Sequence, residues 1–365
     1  MGCGSSSSAG KTVFEQKQEG KTRLKDADVR IGLNGPVQVA KQPFAPAGSP
    51  AIYHGTILPM TDFNPDVSAD KLRESMKGVG TKDDELIQAI TALTNEQRQV
   101  VRKTYHSKFG RDLIQDVKSE TSGDFEDVLV HLLEPAAEYD AWLLHETMDG
   151  PGTEEDILLE ILCFRTKEEL TAIRQAYHQK YGKTLDDDIK GDTSGNFEKM
   201  LLILLEGVRD RPHVVVEAFA RADAKLMYDS GEGRLGTDDD RFIDIFTTRS
   251  WDQLAASTFM YEKMYGKPIE QVLESEFSFD MLFALKKMVV FARDRATYFA
   301  TMLYDSMKGL GTDDEYLQRL VITRCEVDML EIKEAFKQKY GLTLSKMIRD
   351  DTSHKYKDVL LALIN

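Results

Sequence analysis

The sequence predicts an all-α chain of four repeats, each of five short helices, behind an extended N-terminal tail. Three observations carry this. Glycine-rich loops ending in Gly-Thr recur at Gly80, Gly152, Gly236 and Gly311, at intervals of 72, 84 and 75 residues. An almost wholly apolar segment closes each unit, at 125–133, 197–205, 281–292 and 356–364, and a helix apolar all round must be buried on several sides. Six of the ten prolines (Pro36, Pro43, Pro46, Pro50, Pro59, Pro65) lie before residue 66, with a serine run at 5–8, so helical periodicity starts only beyond them.

The parts then follow in a fixed order. In the first unit a helix near 70–77 runs into the glycine loop, a second spans 83–93 and a third 95–109. Gly110, Gly182, Gly266 and Gly341 stand where the third helices should end. A short fourth helix leads to an acidic residue, and the apolar fifth packs inside the other four. This gives a tail over 1–60, repeats over 61–137, 138–206, 223–296 and 297–365, and a linker over 207–222. The extra chain of the 84-residue interval reads as splitting the array between its second and third repeats.

Composition narrows the function. The formal charge is −15; residues 1–60 carry seven Lys/Arg against four Asp/Glu, so the remainder carries −18. Such a body repels nucleic acid and anionic lipid alike unless a cation intervenes. The apolar segment 281–292 is interrupted by Lys286 and Lys287, so no membrane span is expected, and no secretory leader is visible. Three cysteines (Cys3, Cys163, Cys325) form no C-x-x-C pair, which reads as reduced intracellular thiols. Cys163 lies among Ile161, Leu162 and Phe164 and reads as core. Cys325 falls in a helix–helix turn, where an exposed thiol would permit a disulfide-linked homodimer in place of a monomer.

One spacing points to chemistry. Forty residues beyond the second glycine of each loop stands a carboxylate: Glu120, Asp192, Glu276 and Asp351. Glycine turns expose backbone carbonyls, and a distant acid can fold back to meet them. That combination suits Ca²⁺, a hard cation taking six to eight oxygens in loose geometry. The bland alternative is helix capping. Each loop ends in Thr-x-x-Asp/Glu (Thr81/Asp84, Thr153/Asp156, Thr237/Asp240, Thr312/Glu315), which resembles a capping box. Capping does not explain paired glycines or the fixed distance to the acid. An EF-hand fails on spacing, since counting from Asp229 puts Arg234 where glycine is required. The Thr-Ser pairs after Glu120, Asp192 and Asp351 read as N-caps of the fifth helices. His145-Glu146 begins like a zinc-protease motif, but Asp149 stands where its second histidine is needed, and no P-loop or catalytic triad can be argued.

From about residue 61 to its end the chain resembles an annexin. Met-Lys-Gly-x-Gly-Thr appears at 76–81 and 307–312, Gly-Asp-Thr-Ser-Gly at 191–195, and Arg165, Arg249 and Arg324 each fall thirteen residues after a second glycine. The resemblance implies a curved, all-helical disc that binds anionic phospholipid membranes through Ca²⁺. It implies ligand sets of Met76, Gly78, Gly80 and Glu120; Met148, Gly150, Gly152 and Asp192; Gly231, Arg234, Gly236 and Glu276; and Met307, Gly309, Gly311 and Asp351. Departures are specific. Repeat 3 reads Phe277-Ser278-Phe279 after its acid, repeat 2 places Asp149 and Pro151 in its loop, repeat 4 has His354 for a glycine, and Leu93 replaces the arginine in repeat 1.

The tail opens Met1-Gly2-Cys3-Gly4-Ser5-Ser6, which fits myristoylation of Gly2 with palmitoylation of Cys3, and equally an unmodified Gly/Ser terminus. The expected location is the cytoplasmic, inner face of the plasma membrane, with non-classical export to the cell surface as a variant, and the tail as a site for protein partners. A calcium-independent protein-interaction scaffold and an ion-conducting role are the alternatives; an enzyme is not expected.

Overall fold

A computed structural model describes residues 53–78, 80–150, 152–209, 215–309 and 311–365. Among them are twenty α-helices and no strand. Repeat 1 contributes α1 (Pro65–Ser75), α2 (Asp83–Thr91), α3 (Asn95–Phe109), α4 (Leu113–Glu120) and α5 (Gly123–Leu133). Repeat 2 contributes α6 (Ala136–Met148), α7 (Glu155–Phe164), α8 (Lys167–Tyr181), α9 (Leu185–Asp192) and α10 (Gly195–Leu205). Repeat 3 contributes α11 (Glu217–Ser230), α12 (Asp239–Thr248), α13 (Trp251–Tyr265), α14 (Ile269–Glu276) and α15 (Phe279–Arg293). Repeat 4 contributes α16 (Arg295–Ser306), α17 (Asp314–Arg324), α18 (Met329–Tyr340), α19 (Leu344–Asp351) and α20 (His354–Ile364).

Local chemistry sets these limits. The third helices α3 and α8 open on reciprocal capping boxes, Thr94 with Gln97 and Thr166 with Glu169, and all four third helices stop at a left-handed glycine. The fifth helices are buried as their composition requires: Leu129, Leu132, Met200, Leu201, Leu285, Val359 and Leu360 are fully enclosed. The Thr-Ser pairs before them do not cap. Ser122, Ser194, Ser278 and Ser353 occupy the N-cap position without a side-chain bond, and the Thr121, Thr193 and Thr352 hydroxyls turn back onto carbonyls of the preceding helix.

Two hydrophobic cores form, and they do not divide the chain into first and second halves. One joins repeats 1 and 4; the other joins repeats 2 and 3. The long interval therefore separates no two halves, because the repeats on either side of it share a core. α20 packs on α2 and α5, and α10 packs on α12. The cores are tied by a buried ion pair in which Arg319 of α17 donates to Glu160 of α7 at 2.6 Å. Burial disfavours the Arg319 charge, and the attraction and hydrogen bond of Glu160 more than offset this, holding its pKa above the ordinary arginine value.

The arginines that follow the second helices staple each repeat internally. Arg165 pairs with Asp140 at 2.6 Å and Arg249 with Asp223 at 2.9 Å. In repeat 4 Phe299 takes the position of those aspartates; Arg324 lies 4.3 Å over its ring and pairs with Asp328 at 2.6 Å. Repeat 1 lacks the arginine at Leu93, yet a guanidinium still reaches the place. Arg98, one turn into α3, is buried, bonds the Leu93 carbonyl, and pairs with Glu326 of repeat 4 at 2.7 Å.

Residues 53–60 form a strap across repeat 4. Thr56 and Ile57 donate backbone N–H groups to the Cys325 carbonyl at 2.7 and 3.0 Å. His54 bonds Glu331, Leu330 donates to the His54 carbonyl, and Met60 exchanges two bonds with Gln97. The strap closes over Cys325, which is wholly buried, and burial pushes its thiol up to about 12. The expected exposed thiol, and with it a disulfide-linked homodimer through Cys325, is thus overturned: the sulfur is enclosed and stays protonated. Cys163 is core, as its neighbours predict. Gly2 and Cys3 lie outside the described residues. No helix among the described residues is long and apolar enough to cross a membrane.

Candidate metal centres

Each glycine loop is pinned at its base by one recurrent bond. The N–H groups of Lys82, Glu154, Asp238 and Asp313 donate to the carbonyls of Ser75, Thr147, Ser230 and Ser306 at 2.9, 3.3, 2.7 and 2.8 Å. The chain between must reverse sharply, and glycines supply the conformations. Gly78, Gly80, Gly150, Gly152, Gly236, Gly309 and Gly311 all have φ between 80 and 129°, a region costly to residues with a Cβ. A Cβ added at any of them meets nothing, so the loops stand clear of the fold. The intervening Val79, Pro151 and Leu310 lie outside the described residues.

The distant carboxylates do return to the loops, and the loop threonines bring them there. Thr81 Oγ1 donates to Glu120 at 2.9 Å, Thr153 to Asp192 at 2.5 Å, and Thr312 to Asp351 at 2.5 Å. Thr237 makes the same bond to Glu276. Thr81 and Thr312 also donate to the main-chain oxygen of their acid. The capping alternative therefore falls. The N-caps of α2, α7, α12 and α17 are Lys82, Glu154, Asp238 and Asp313, one residue further on. Sequence could not assign this role, because a threonine before two acids fits a capping box equally well.

Loop 3 differs in build but not in outcome. Gly231 has φ −120, and its carbonyl accepts from the Arg234 N–H at 3.0 Å. A methyl group added at Gly231 would lie 3.4 Å from the Glu276 carboxyl carbon, so acid and loop are in contact. Glu232, inside this loop, is not turned to the acid. It bonds Lys267 and accepts from the Tyr261 hydroxyl at 2.8 Å, and the Lys267 bond holds its carboxyl below the usual range. The side chains of Met76 and Met307 are buried, so only their main chain is available to a ligand.

Among the described residues none of Glu120, Asp192, Glu276 and Asp351 has a Lys, Arg or His within ion-pair distance, a trait they share with other acids here; what sets them apart is the loop threonine that each accepts from. Each is held by a neutral hydroxyl rather than by a competing cation. Nor do the described residues hold any cluster of three His, Cys, Asp or Glu side chains able to bind metal. One carboxylate beside exposed backbone oxygens fits a hard, oxygen-seeking ion and excludes a thiolate or imidazole centre.

The sites also come in pairs. α2 begins just after loop 1 and α20 just after Asp351; Lys355 near the start of α20 reaches Asp84 at the start of α2 at 2.6 Å. Asn196 and Lys199 of α10 bond Asp239 and Asp240 of α12 in the same way. Loops 1 and 4 thus share one end of their core, and loops 2 and 3 one end of theirs.

A family model described as Annexin matches residues 67–132, 139–204, 222–285 and 298–363. The chain is an annexin. It is 43% identical over 309 residues to human annexin A4, covering 85% of this chain and 97% of that protein. It is 40% identical over 319 residues to human annexin A7, covering 87% of this chain but only 65% of that longer relative. Among solved structures, annexin III superposes with a TM-score of 0.82 at 38% identity, over 86% of this chain and 97% of its own. Calcium-bound annexin (Sm)1 superposes with a TM-score of 0.79 at 34% identity, over 86% and 93%. The family binds phospholipid in a calcium-dependent way, and this annexin has its four-repeat, all-helical architecture.

Proposed function

We propose that this protein binds anionic phospholipid bilayers through Ca²⁺ held at its four loops and so organises or scaffolds the membrane. The ligands would be main-chain oxygens of Met76, Gly78 and Gly80 with Glu120; of Met148, Gly150 and Gly152 with Asp192; of Gly231, Arg234 and Gly236 with Glu276; and of Met307, Gly309 and Gly311 with Asp351. The observation that carries this reading is the set of four carboxylates, each fixed to its loop by a threonine hydroxyl and none paired with a cation. The bound ion would supply the positive charge that this acidic surface lacks and accept phosphate oxygens as further ligands.

Three carbonyls and one carboxylate leave a hard cation short of the six to eight oxygens it prefers. With a single anionic ligand, affinity without lipid belongs near the weak, ~10⁻⁴ M end of the Ca²⁺ range. Lipid phosphate completes the shell, so lipid and metal tighten each other reciprocally. Two loops at one end of each core add avidity without any new contact. Acylation at Gly2 and Cys3 would add a second, calcium-independent anchor and place the protein at the inner face of the plasma membrane; the mass of Gly2 in native material tests this.

Vesicle co-sedimentation with Ca²⁺ or chelator tests the central claim. Wild type, here and below made without acylation, should pellet with phosphatidylserine-containing vesicles only when Ca²⁺ is present. Glu120→Ala, Asp192→Ala, Glu276→Ala and Asp351→Ala should each raise the Ca²⁺ requirement, and the fourfold variant should stay in the supernatant. Undiminished pelleting of that variant, or pelleting of wild type in chelator, would favour a calcium-independent scaffold instead.

A further inference from the structure

Repeat 3 departs from the others at the step from its acid to its fifth helix. Repeats 1 and 2 read Thr-Ser-Gly there, and repeat 3 reads Phe277-Ser278-Phe279. The two phenylalanines go opposite ways. Phe277 turns inward and packs edge-on against Phe242, ring centroids 5.0 Å apart. Phe279 turns outward and is 88% exposed.

Its backbone makes that exposure harder to dismiss. Phe279 has φ 51, in the left-handed region that Gly123 (φ 61) and Gly195 (φ 64) occupy at the same step. A bulky side chain adopts this conformation only at a cost, which His354 (φ 54) also bears at the matching step of repeat 4. With so little of the ring covered, packing within the fold does not offset it.

A second apolar side chain of the same repeat is exposed. Leu235, in loop 3, is wholly exposed, two residues before the Thr237 that holds Glu276. Glu276 in turn lies three residues before Phe279. Phe279 thus stands, along the chain, three residues from a candidate metal carboxylate. A surface bridged to Glu276 by a cation is brought to the segment that carries it.

We propose that Phe279 is a wedge that enters the hydrocarbon layer of the bilayer held by the third loop. The proposal rests on the calcium-dependent membrane reading above. A bilayer fits better than a protein partner because calcium bridging at Glu276 brings a bilayer to this segment, and hydrocarbon accepts a lone exposed ring without a shaped pocket. The wedge would give repeat 3 an attachment indifferent to headgroup and to salt, where bridging alone responds to both.

The full-length protein and vesicles of phosphatidylcholine and phosphatidylserine, with or without bromine in the acyl chains, provide the test. With Ca²⁺, Phe279→Trp should be quenched by acyl bromine well beyond the background of Trp142 and Trp251 in wild type. Phe279→Gly should need about tenfold more lipid for half-binding at fixed Ca²⁺, the loss expected when a large part of one aromatic side chain is no longer buried. Without lipid, the same variant should melt no lower than wild type, because it relieves strain and uncovers no core. Unquenched Phe279→Trp, or wild-type binding by Phe279→Gly, overturns the wedge and leaves calcium bridging standing. A lower melting point for Phe279→Gly overturns it in favour of a structural role, and wild type that fails to pellet with Ca²⁺ overturns both readings.

Discussion

Replacing Thr312 by valine would remove one hydroxyl and almost no volume, and the structure fixes what should follow. That hydroxyl bonds the Asp351 carboxylate at 2.5 Å and its main-chain oxygen at 3.1 Å. A hydrogen bond to an ionised group contributes about 1.5–3 kcal/mol when well enclosed. Asp351 is only partly buried, so about 1–1.5 kcal/mol is the fair share, or roughly five- to tenfold in affinity if the bond serves to hold the carboxylate for metal. Removing a group that orients a metal ligand typically costs about ten- to a hundredfold, and the partial exposure of Asp351 puts this case at or just below the low end. Stability without metal should barely change, because Thr312 caps no helix: the Tyr316 N–H is satisfied by Asp313. A capping threonine would behave in the reverse way, costing about 1 kcal/mol of stability and leaving Ca²⁺ affinity alone. The Ca²⁺ midpoint of vesicle binding and the melting temperature in chelator, measured for Thr81→Val, Thr153→Val, Thr237→Val and Thr312→Val singly and together, separate the two. An unmoved midpoint with a lowered melting temperature would refute the reasoning.

Three further outcomes follow from the fold. Arg319→Leu leaves the buried Glu160 uncompensated and should cost about 3–5 kcal/mol in denaturant unfolding, whereas adding Glu160→Leu should restore most of it. His131 is packed against Tyr139 and Trp142 with Nδ1 unpartnered, and burial first, then Lys118 and Lys180, push its pKa down to about 4. The folded state therefore resists a proton that the unfolded chain accepts below about 6.5, so stability falls as pH drops from about 6.5 toward 4. His131→Phe should flatten that part of the curve by up to about 3 kcal/mol relative to wild type, read as the difference in melting profiles. A Cβ at Gly55 would lie 2.5 Å from the Glu326 carbonyl carbon. Gly55→Ala should thus loosen the strap, which faster amide exchange over 53–60 and quicker alkylation of Cys325 would register.

The repeating parts were legible because each is written four times at constant spacing. Gly80 to Glu120 and its three copies specified the acid and its loop, and Gly110 with its copies specified where the third helices end. What escaped was whatever depends on partners chosen at a distance. Thr81 and Glu120 are 39 residues apart, and nothing local tells a hydroxyl bound for that carboxylate from one bound for the nearest amide. The pairing of repeat 1 with repeat 4 escaped because an apolar helix face such as that of α20 records that it must be covered, not by which neighbour. Leu93 looked like a missing arginine, and Arg98 filled the space from five residues on, since a long side chain can cross a helical turn. Cys325 looked like an exposed turn thiol because its cover arrives from Thr56, 269 residues upstream.

The core shared by repeats 1 and 4 bears on the order in which the molecule can assemble. α2 and α5 pack on helices of their own repeat but are completed by repeat 4, α2 by α20 and α5 by α17 and α20. Repeats 2 and 3 are adjacent in sequence and can consolidate as soon as α15 is made. A growing polypeptide must therefore carry its opening helices half-clad while the middle sets, and a product cut short before α20 would leave them so permanently, an aggregation hazard of the kind that incomplete domains present to chaperones.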